Sequence, residues 1–335
     1  MKIGKVSESV LKRSVLKQIK NRREEVLVGA GIGEDCAILS FQEDEVVTLT
    51  VDPVTATTFE NGVYGIYAAV NDIAATGAEP VGVLVSILLP ESTYESELKE
   101  MMQEMEKICD SLHIQIIGGH TEVARAVNCP IITITGVGKA GKDTYASTRG
   151  AKPGQDIVIS KWIGLEGTSI IAHEKEEELR EKYPSHLIHA AKECRNLLSV
   201  IPEAATAIKS GVRTMHDVTE GGVFGALWEL AESSGVGLEI DLQKLPIRQE
   251  TIEVCEFVDV NPYQMISSGC LLMVTDQGFD LVRALEKNGI NAAVIGKITD
   301  NNDRVVINEE ERRFLEPPKS DDIYKLNGME RKIEK

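Results

Sequence analysis

Apolar runs and stretches of helical spacing alternate along this chain. Val10, Leu11, Val15, Leu16 and Ile19 fall on one face of a helix that Ser7 can cap. Val26-Leu27-Val28 leads into a glycine-rich turn. Val46 to Val51 reads as a buried strand that stops at Asp52-Pro53, because proline cannot continue a central ladder. Residues 63 to 76 predict a helix closed by Gly77, and Val81 to Leu89 the next strand. Ser92 and Glu95 have the spacing of a capping box, and Leu98, Met101, Met102, Met105, Ile108 and Leu112 form the stripe of the helix that follows, its methionines acting as core filler. Ile114 to Ile117 and Pro130 to Val137 predict two further strands, before the turn-rich boundary Arg149-Gly150-Ala151-Lys152-Pro153-Gly154. Beyond it, strands are expected at 156 to 160 and near 212 to 215, 236 to 241, 269 to 275 and 291 to 298, with helices between them. At 335 residues the chain exceeds the size of one hydrophobic core, so two α/β domains are expected, 1–152 and 153–335. The polar tail from Glu309 orders only against the rest.

Five segments combine glycine with acid just after apolar runs: Gly31-Ile32-Gly33-Glu34-Asp35, Val51-Asp52-Pro53, Asn71-Asp72 leading to Gly77, Gly118-Gly119-His120-Thr121-Glu122, and His216-Asp217 with Gly221-Gly222. Such a set suits a cation and phosphate site gathered from distant strand ends. Mg²⁺ takes carboxylate, water and phosphate oxygen, and glycine lets backbone N–H groups approach phosphate closely. Gly31-x-Gly33 lacks the third glycine of a dinucleotide fingerprint, and no Gly-Lys-Ser/Thr of a P-loop occurs. The small residues Ile73-Ala74-Ala75-Thr76-Gly77 would hold Asp72 rigidly. His120 reads as a hydrogen-bonded structural histidine rather than a zinc ligand. At Met215 to Gly222 a strand turns into the helix of Phe224, Leu227, Trp228 and Leu230. Thr219 or Asp217 can cap that helix, while the double glycine favours anion binding through free N–H groups, and both readings can hold together.

Composition narrows the classes. Hydrophobic residues at 42% and charged ones at 27% describe an ordinary soluble protein. Aromatics at 4% and a net charge of −17 argue against nucleic acid and against an anionic membrane surface. A small anionic substrate stays open, since bound Mg²⁺ changes the local sign. The cysteines, at 36, 109, 129, 194, 255 and 270, include no Cys-x-x-Cys pair, so neither a zinc framework nor a disulfide scaffold is expected. The first eight residues enter a charged helical pattern, and no stretch approaches membrane-spanning length. A cytoplasmic protein is expected.

Taken in order, these segments resemble the superfamily of aminoimidazole ribonucleotide synthase, thiamine monophosphate kinase, selenophosphate synthetase and the hydrogenase maturation factor HypE. The resemblance runs from Val28 to about Val306 and is carried by Asn71 to Pro80, Gly118 to Glu122, and His216 to Gly222; Ser234 to Ile240 and Asn261-Pro262 fit the HypE-like pattern. It implies a two-domain PurM-like fold and a homodimer whose amino-terminal sheets join in a shared barrel, with ATP and Mg²⁺ near that interface. By the same comparison Asp35, Asp52 and Asp72 match acids that hold Mg²⁺ and phosphate, and Gly33 and Gly119 match phosphate-approaching glycines. Gly31, Asn71, Gly118, Thr121, Glu122, Gly221 and Gly222 complete the expected ATP site. Asp217 matches an acid facing the reacting group, with His216 beside it. The implied activity is ATP-dependent phosphorylation or activation of an oxygen on a small-molecule or thiol-bound acceptor, in a metallocentre maturation setting with a maturation-protein partner. The alternative is an ATP-binding assembly or regulatory protein of reduced catalysis. Three departures bear on this choice. The sequence ends Met329 to Lys335 where HypE proteins carry Pro-Arg-Ile-Cys, and Ser267-Ser268-Gly269-Cys270-Leu271 stands where they read Asn-Glu-Gly-Lys-Leu. His120 stands where several relatives have Asp. Cys270 or Cys36 is a candidate replacement thiol.

Overall fold

The computed structural model describes residues 4–31, 36–54 and 60–327. It divides into two compact units, residues 1–73 with 78–143, and residues 74–77 with 144–335.

The first unit opens on β1 (Gly4–Lys5) and α1 (Glu8–Val10), which widens into π-helical turns over Leu11–Leu16. Val15 and Ile19 are buried as the helical spacing predicts. A hairpin of β2 (Val26–Val28) and β3 (Ile38–Leu39) precedes β4 (Glu45–Val54), α2 (Asn61–Ala75), β5 (Glu79–Leu89), α3 (Glu95–Leu112), β6 (Gln115–Val123) and β7 (Ile131–Gly141). The sheet order is β1-β6-β5-β7-β4, and only β5 and β6 run parallel. Period-two alternation sorts the side chains. Val83, Val85, Ile87 and Leu89 are buried, whereas Leu84, Ser86 and Leu88 are only partly covered.

Three expectations for this unit change. β4 does not stop before Pro53: it continues to Val54, paired to β7, and it is the outermost strand. An edge strand has one side without a neighbour, which is where a residue lacking N–H is tolerated. β6 runs on through Gly118-Gly119-His120-Thr121-Glu122 instead of ending before it. Gly119 sits at φ +147° opposite Val85, where a Cβ would run into the Val85 carbonyl, so glycine preserves the pairing of β5 with β6. Finally, α3 is entered from Tyr94, whose N–H donates to Glu97 Oε2 at 2.6 Å; Glu95 instead accepts from Ser14 Oγ at 2.6 Å and pairs with Arg13.

In the second unit come β8 (Asp156–Ser160), α4 (Leu165–Glu174), α5 (Glu176–Lys182), α6 (Ser185–Lys192), α7 (Ile201–Lys209), β9 (Thr214–Asp217) and α8 (Gly222–Ser234). They are followed by β10 (Gly237–Asp241), α9 (Gln249–Val258), β11 (Leu271–Thr275), α10 (Gly278–Lys287), β12 (Ala292–Thr299), β13 (Arg304–Asn308) and β14 (Glu311–Phe314). The sheet order is β14-β13-β10-β12-β8-β11-β9. Its central strands are apolar at successive positions because helices cover both faces. Ile157, Ile159 and Leu272 pack with Val223, Leu227 and Leu230 of α8. Val158, Leu271 and Met273 pack on the other side with Ala204 and Ala207 of α7 and Leu281 and Leu285 of α10. The expected mixed α/β fold is therefore what forms.

Leu227 has 0% exposure within that layer. Leu227→Ala is expected to cost about 2–5 kcal/mol, read as a lower urea midpoint at unchanged slope. A loss below about 0.5 kcal/mol would show that α8 does not seal this face.

Candidate functional site

The site in the first unit begins with the glycines of β7. Gly136 and Gly138 leave that strand without side chains where α2 crosses it: a Cβ on Gly136 would meet Ala69 O at 3.2 Å and Ile73 Cγ1 at 3.3 Å. The helix therefore rides close to the sheet. Thr50 and Asp52, two residues apart on β4, share the face toward α2, opposite Gly136 and Ile134. Asp72 comes from α2 itself. The three meet: Thr50 Oγ1 lies 3.2 Å from Asp52 Oδ2 and forms a shorter hydrogen bond to Asp72 Oδ2. One hydroxyl has a single proton to donate, so two neighbouring carboxylates share a polar partner without charge compensation from it. A divalent cation would turn their repulsion into binding.

Asn71 is buried at 0% exposure, so its amide belongs to the helix–sheet interior. Gly33 and Asp35 lie outside the described residues. Among the described residues no group of three His, Cys, Asp or Glu side chains is arranged to hold a metal. Mg²⁺ is commonly bound through one or two carboxylates, with water and phosphate completing its shell, so the donor set of Asp52 and Asp72 fits it in partnership with a phosphate ligand.

Four residues predicted for nucleotide binding do come together. Gly31, Gly118, Gly119 and Thr121 line a cavity of about 410 Å³ with apolar walls that include Val15 and Ile19. Asp52, Asp72 and Glu122 do not line it. Alternation along β6 separates Thr121, which is buried, from His120 and Glu122, whose side chains pair with each other at 3.1 Å.

In the second unit, alternation along β9 likewise turns the two predicted catalytic side chains opposite ways. Asp217 is buried at 5% exposure across from Leu271, while His216 Nε2 lies 2.9 Å from Glu229 Oε2 on α8. Gly221 and Gly222 have φ of +80° and +61°, and a Cβ on Gly222 would come within 2.6 Å of Tyr263 O. That part of the turn thus requires glycine. The α8 N-cap position is held by Gly221 rather than by Thr219 or Asp217. Nor is the Gly221 N–H free as expected, for it donates to Asp321 Oδ2 at 2.7 Å. Thr50, Asp321 and the buried Glu166 carry no signal in the sequence, since none stands in a glycine-and-acid segment. Burial pushes the Cys270 thiol up to about 12, which removes it as a replacement nucleophile.

Family models match both units: AIR synthase related protein, N-terminal domain, over residues 33–140, and AIR synthase related protein, C-terminal domain, over residues 152–308. The chain belongs to the AIR synthase related family. A protein of Methanocaldococcus jannaschii that bears the name hydrogenase expression/formation protein is 27% identical over 337 residues, covering 96% of this chain and 97% of its own length. Carbamoyl dehydratase HypE of Rhodobacter capsulatus is 26% identical over 278 residues, 81% of this chain and 78% of that protein. The crystal structure of hydrogenase maturation protein HypE in complex with ATP shares the fold, with a TM-score of 0.79 at 20% identity over 94% of this chain and 95% of that one. The AIR synthase related chain is HypE-like and takes its place in a family of enzymes. No helix among the described residues is long and apolar enough to cross a membrane.

The shared hydroxyl gives a direct check. Thr50→Val is expected to destabilise the protein by about 1–2 kcal/mol in denaturant titration, and Thr50→Ser to restore most of that loss. A neutral Thr50→Val would mean that the hydroxyl does not hold the two acids.

Proposed function

We propose that this chain is an ATP- and Mg²⁺-dependent homodimeric enzyme that phosphorylates or otherwise activates a carbonyl or amide oxygen of an acceptor in metallocentre maturation. The observation that carries the reading is the meeting of Asp52 and Asp72 at Thr50. Together with Asp35, these carboxylates would hold the divalent ion of a metal–triphosphate complex. The ion would supply neutralisation of charge on the transferring phosphoryl group. Backbone N–H groups near Gly31, Gly118 and Gly119 suit phosphate oxygens, and the apolar wall of the same cavity suits a nucleoside. Asp217 is assigned to the acceptor side, where a fixed carboxylate would orient the oxygen under attack. The maturation setting rests on the names of the relatives, hydrogenase expression/formation protein and carbamoyl dehydratase HypE, and a maturation-protein partner belongs to the same reading.

The homodimer is supported by β4. Its outward positions Val47, Leu49 and Val51 are 49%, 70% and 61% exposed, an apolar row on an edge strand that a second copy would cover. Leu49→Glu is expected to yield monomers in light scattering at concentrations where the unaltered chain is dimeric. An unchanged mass would move the interface elsewhere.

A second reading, an ATP-binding regulatory protein of reduced catalysis, is favoured by one feature. Ser268 and Cys270 are buried at 4% and 0% exposure, so neither stands ready as a reacting group. Turnover with any acceptor would remove it.

Isothermal titration with ATP and Mg²⁺ tests the preferred reading. Binding is expected for the unaltered chain and at least about tenfold weaker binding for Asp72→Asn, about 1.4 kcal/mol. Absence of binding, or equal affinity in the variant, would overturn it.

A further inference from the structure

We propose that the amino-terminal arm, residues 11–23, is the wall that grips the nucleoside of the bound nucleotide, through the side chains of Leu11, Val15, Leu16 and Ile19. The inference rests on the nucleotide reading of the cavity in the first unit and adds which segment sets the fit.

The two sides of the arm differ in character. Its polar side is tied to α3 and to the start of β6. Arg13 Nη2 donates to Glu95 Oε2 at 2.5 Å, and Ser14 Oγ donates to Glu95 Oε1 at 2.6 Å. About three helical turns further along the same side of α3, Glu106 Oε1 accepts the N–H groups of Lys20 and Asn21 at 2.5 and 2.7 Å. The Arg23 N–H donates to Gln115 Oε1 at 2.8 Å. None of these ties passes through the apolar side chains of the arm.

Those side chains border the cavity of about 410 Å³. Leu11, Val15, Leu16 and Ile19 line it from the arm, and Leu84, Ile87 and Met102 are among the residues that line it from the sheet and α3. Its size lies within the range of about 300–1,000 Å³ usual for small-molecule sites. The backbone of the arm serves this lining. Leu11–Leu16 is π-helical, and the Lys17 N–H donates to Lys12 O, five residues back, at 3.0 Å. At α-helical spacing Leu16 would stand about 140° round from Leu11. The wider turn brings residues five apart nearer to line, so Leu16 joins Leu11 and Val15 at the cavity. Such turns are rare and gather at functional sites.

The chemistry of the lining selects the part of the ligand. Among the described residues no charged side chain lines the cavity; the polar side chains there are Thr121 and Cys36. The glycine backbone suits phosphate at its edge, whereas the aliphatic side chains of the arm suit the base and sugar, which carry no charge. Close packing on a ring gives many small dispersion contacts, and the arm supplies them from four side chains.

A cavity-filling variant separates gripping a ligand from packing the fold. Val15 is 8% exposed and borders the cavity, so the ring of Val15→Phe would take up space that the nucleoside needs. Isothermal titration with ATP and Mg²⁺ is expected to show binding at least about tenfold weaker in Val15→Phe than in the unaltered chain. Hydrogen–deuterium exchange on the unaltered chain gives a reading independent of any variant. Saturating ATP and Mg²⁺ should slow exchange over residues 11–21 at least about tenfold more than over β9. Inorganic tripolyphosphate with Mg²⁺, which has no nucleoside, should produce no such slowing. Equal ATP affinity in Val15→Phe, an arm whose exchange ignores ATP, or equal slowing by tripolyphosphate would each overturn the proposal and leave the nucleotide reading standing. Absence of ATP binding to the unaltered chain would overturn both. Should Val15→Phe fail to fold, Ile19→Phe and the exchange measurements decide it.

Discussion

Close passage of α2 over β7 is the constraint on which the first unit's chemistry depends. A helix can approach a sheet so nearly only where the strand beneath has no side chains, and Gly136 and Gly138 supply that gap. The approach brings Asp72 down to Thr50, and the two-residue period of β4 adds Asp52 to the same spot. The meeting of these two carboxylates at the junction of helix and strand is what the proposed cation site rests on.

A similar logic governs the second unit, with the sign resolved internally. The turn into α8 presents a backbone N–H at the positive end of a helix, and the protein answers it with its own Asp321. Net charge of −17 makes such acids plentiful, and several of the described ones, Glu106, Asp156, Asp321 and Asp322 among them, are placed against backbone N–H donors. Distribution, rather than total charge, separates functional carboxylates from those that keep the surface hydrated.

Much of this was legible in the sequence, and the failures have physical causes. Apolar periodicity located β5, α2, α3 and most strands of the second unit because it reports which face is buried. It does not report which strand lies at an edge, so in sequence Pro53 reads as the end of β4, whereas in the fold it marks an outer strand. Glycine pairs look like loops in sequence, and so Gly118-Gly119 reads as the end of β6; the close approach of Val85 keeps them within it. The capping pattern Ser92/Glu95 was outcompeted by Arg13 and Ser14, which come from more than eighty residues away. Of the expected acids, Asp52 and Asp72 meet at Thr50, a residue with nothing in the local sequence to set it apart from the rest of its strand. Asp321 and Glu166 act only through long-range contacts, which local pattern cannot show.

Anomalous diffraction from Mn²⁺ in crystals grown with a non-hydrolysable ATP analogue tests the central claim most directly. The account predicts a peak within about 2.5 Å of carboxylate oxygens from Asp52 or Asp72, bridged to the analogue's phosphates. A metal peak bound to the phosphates but remote from both acids would contradict it.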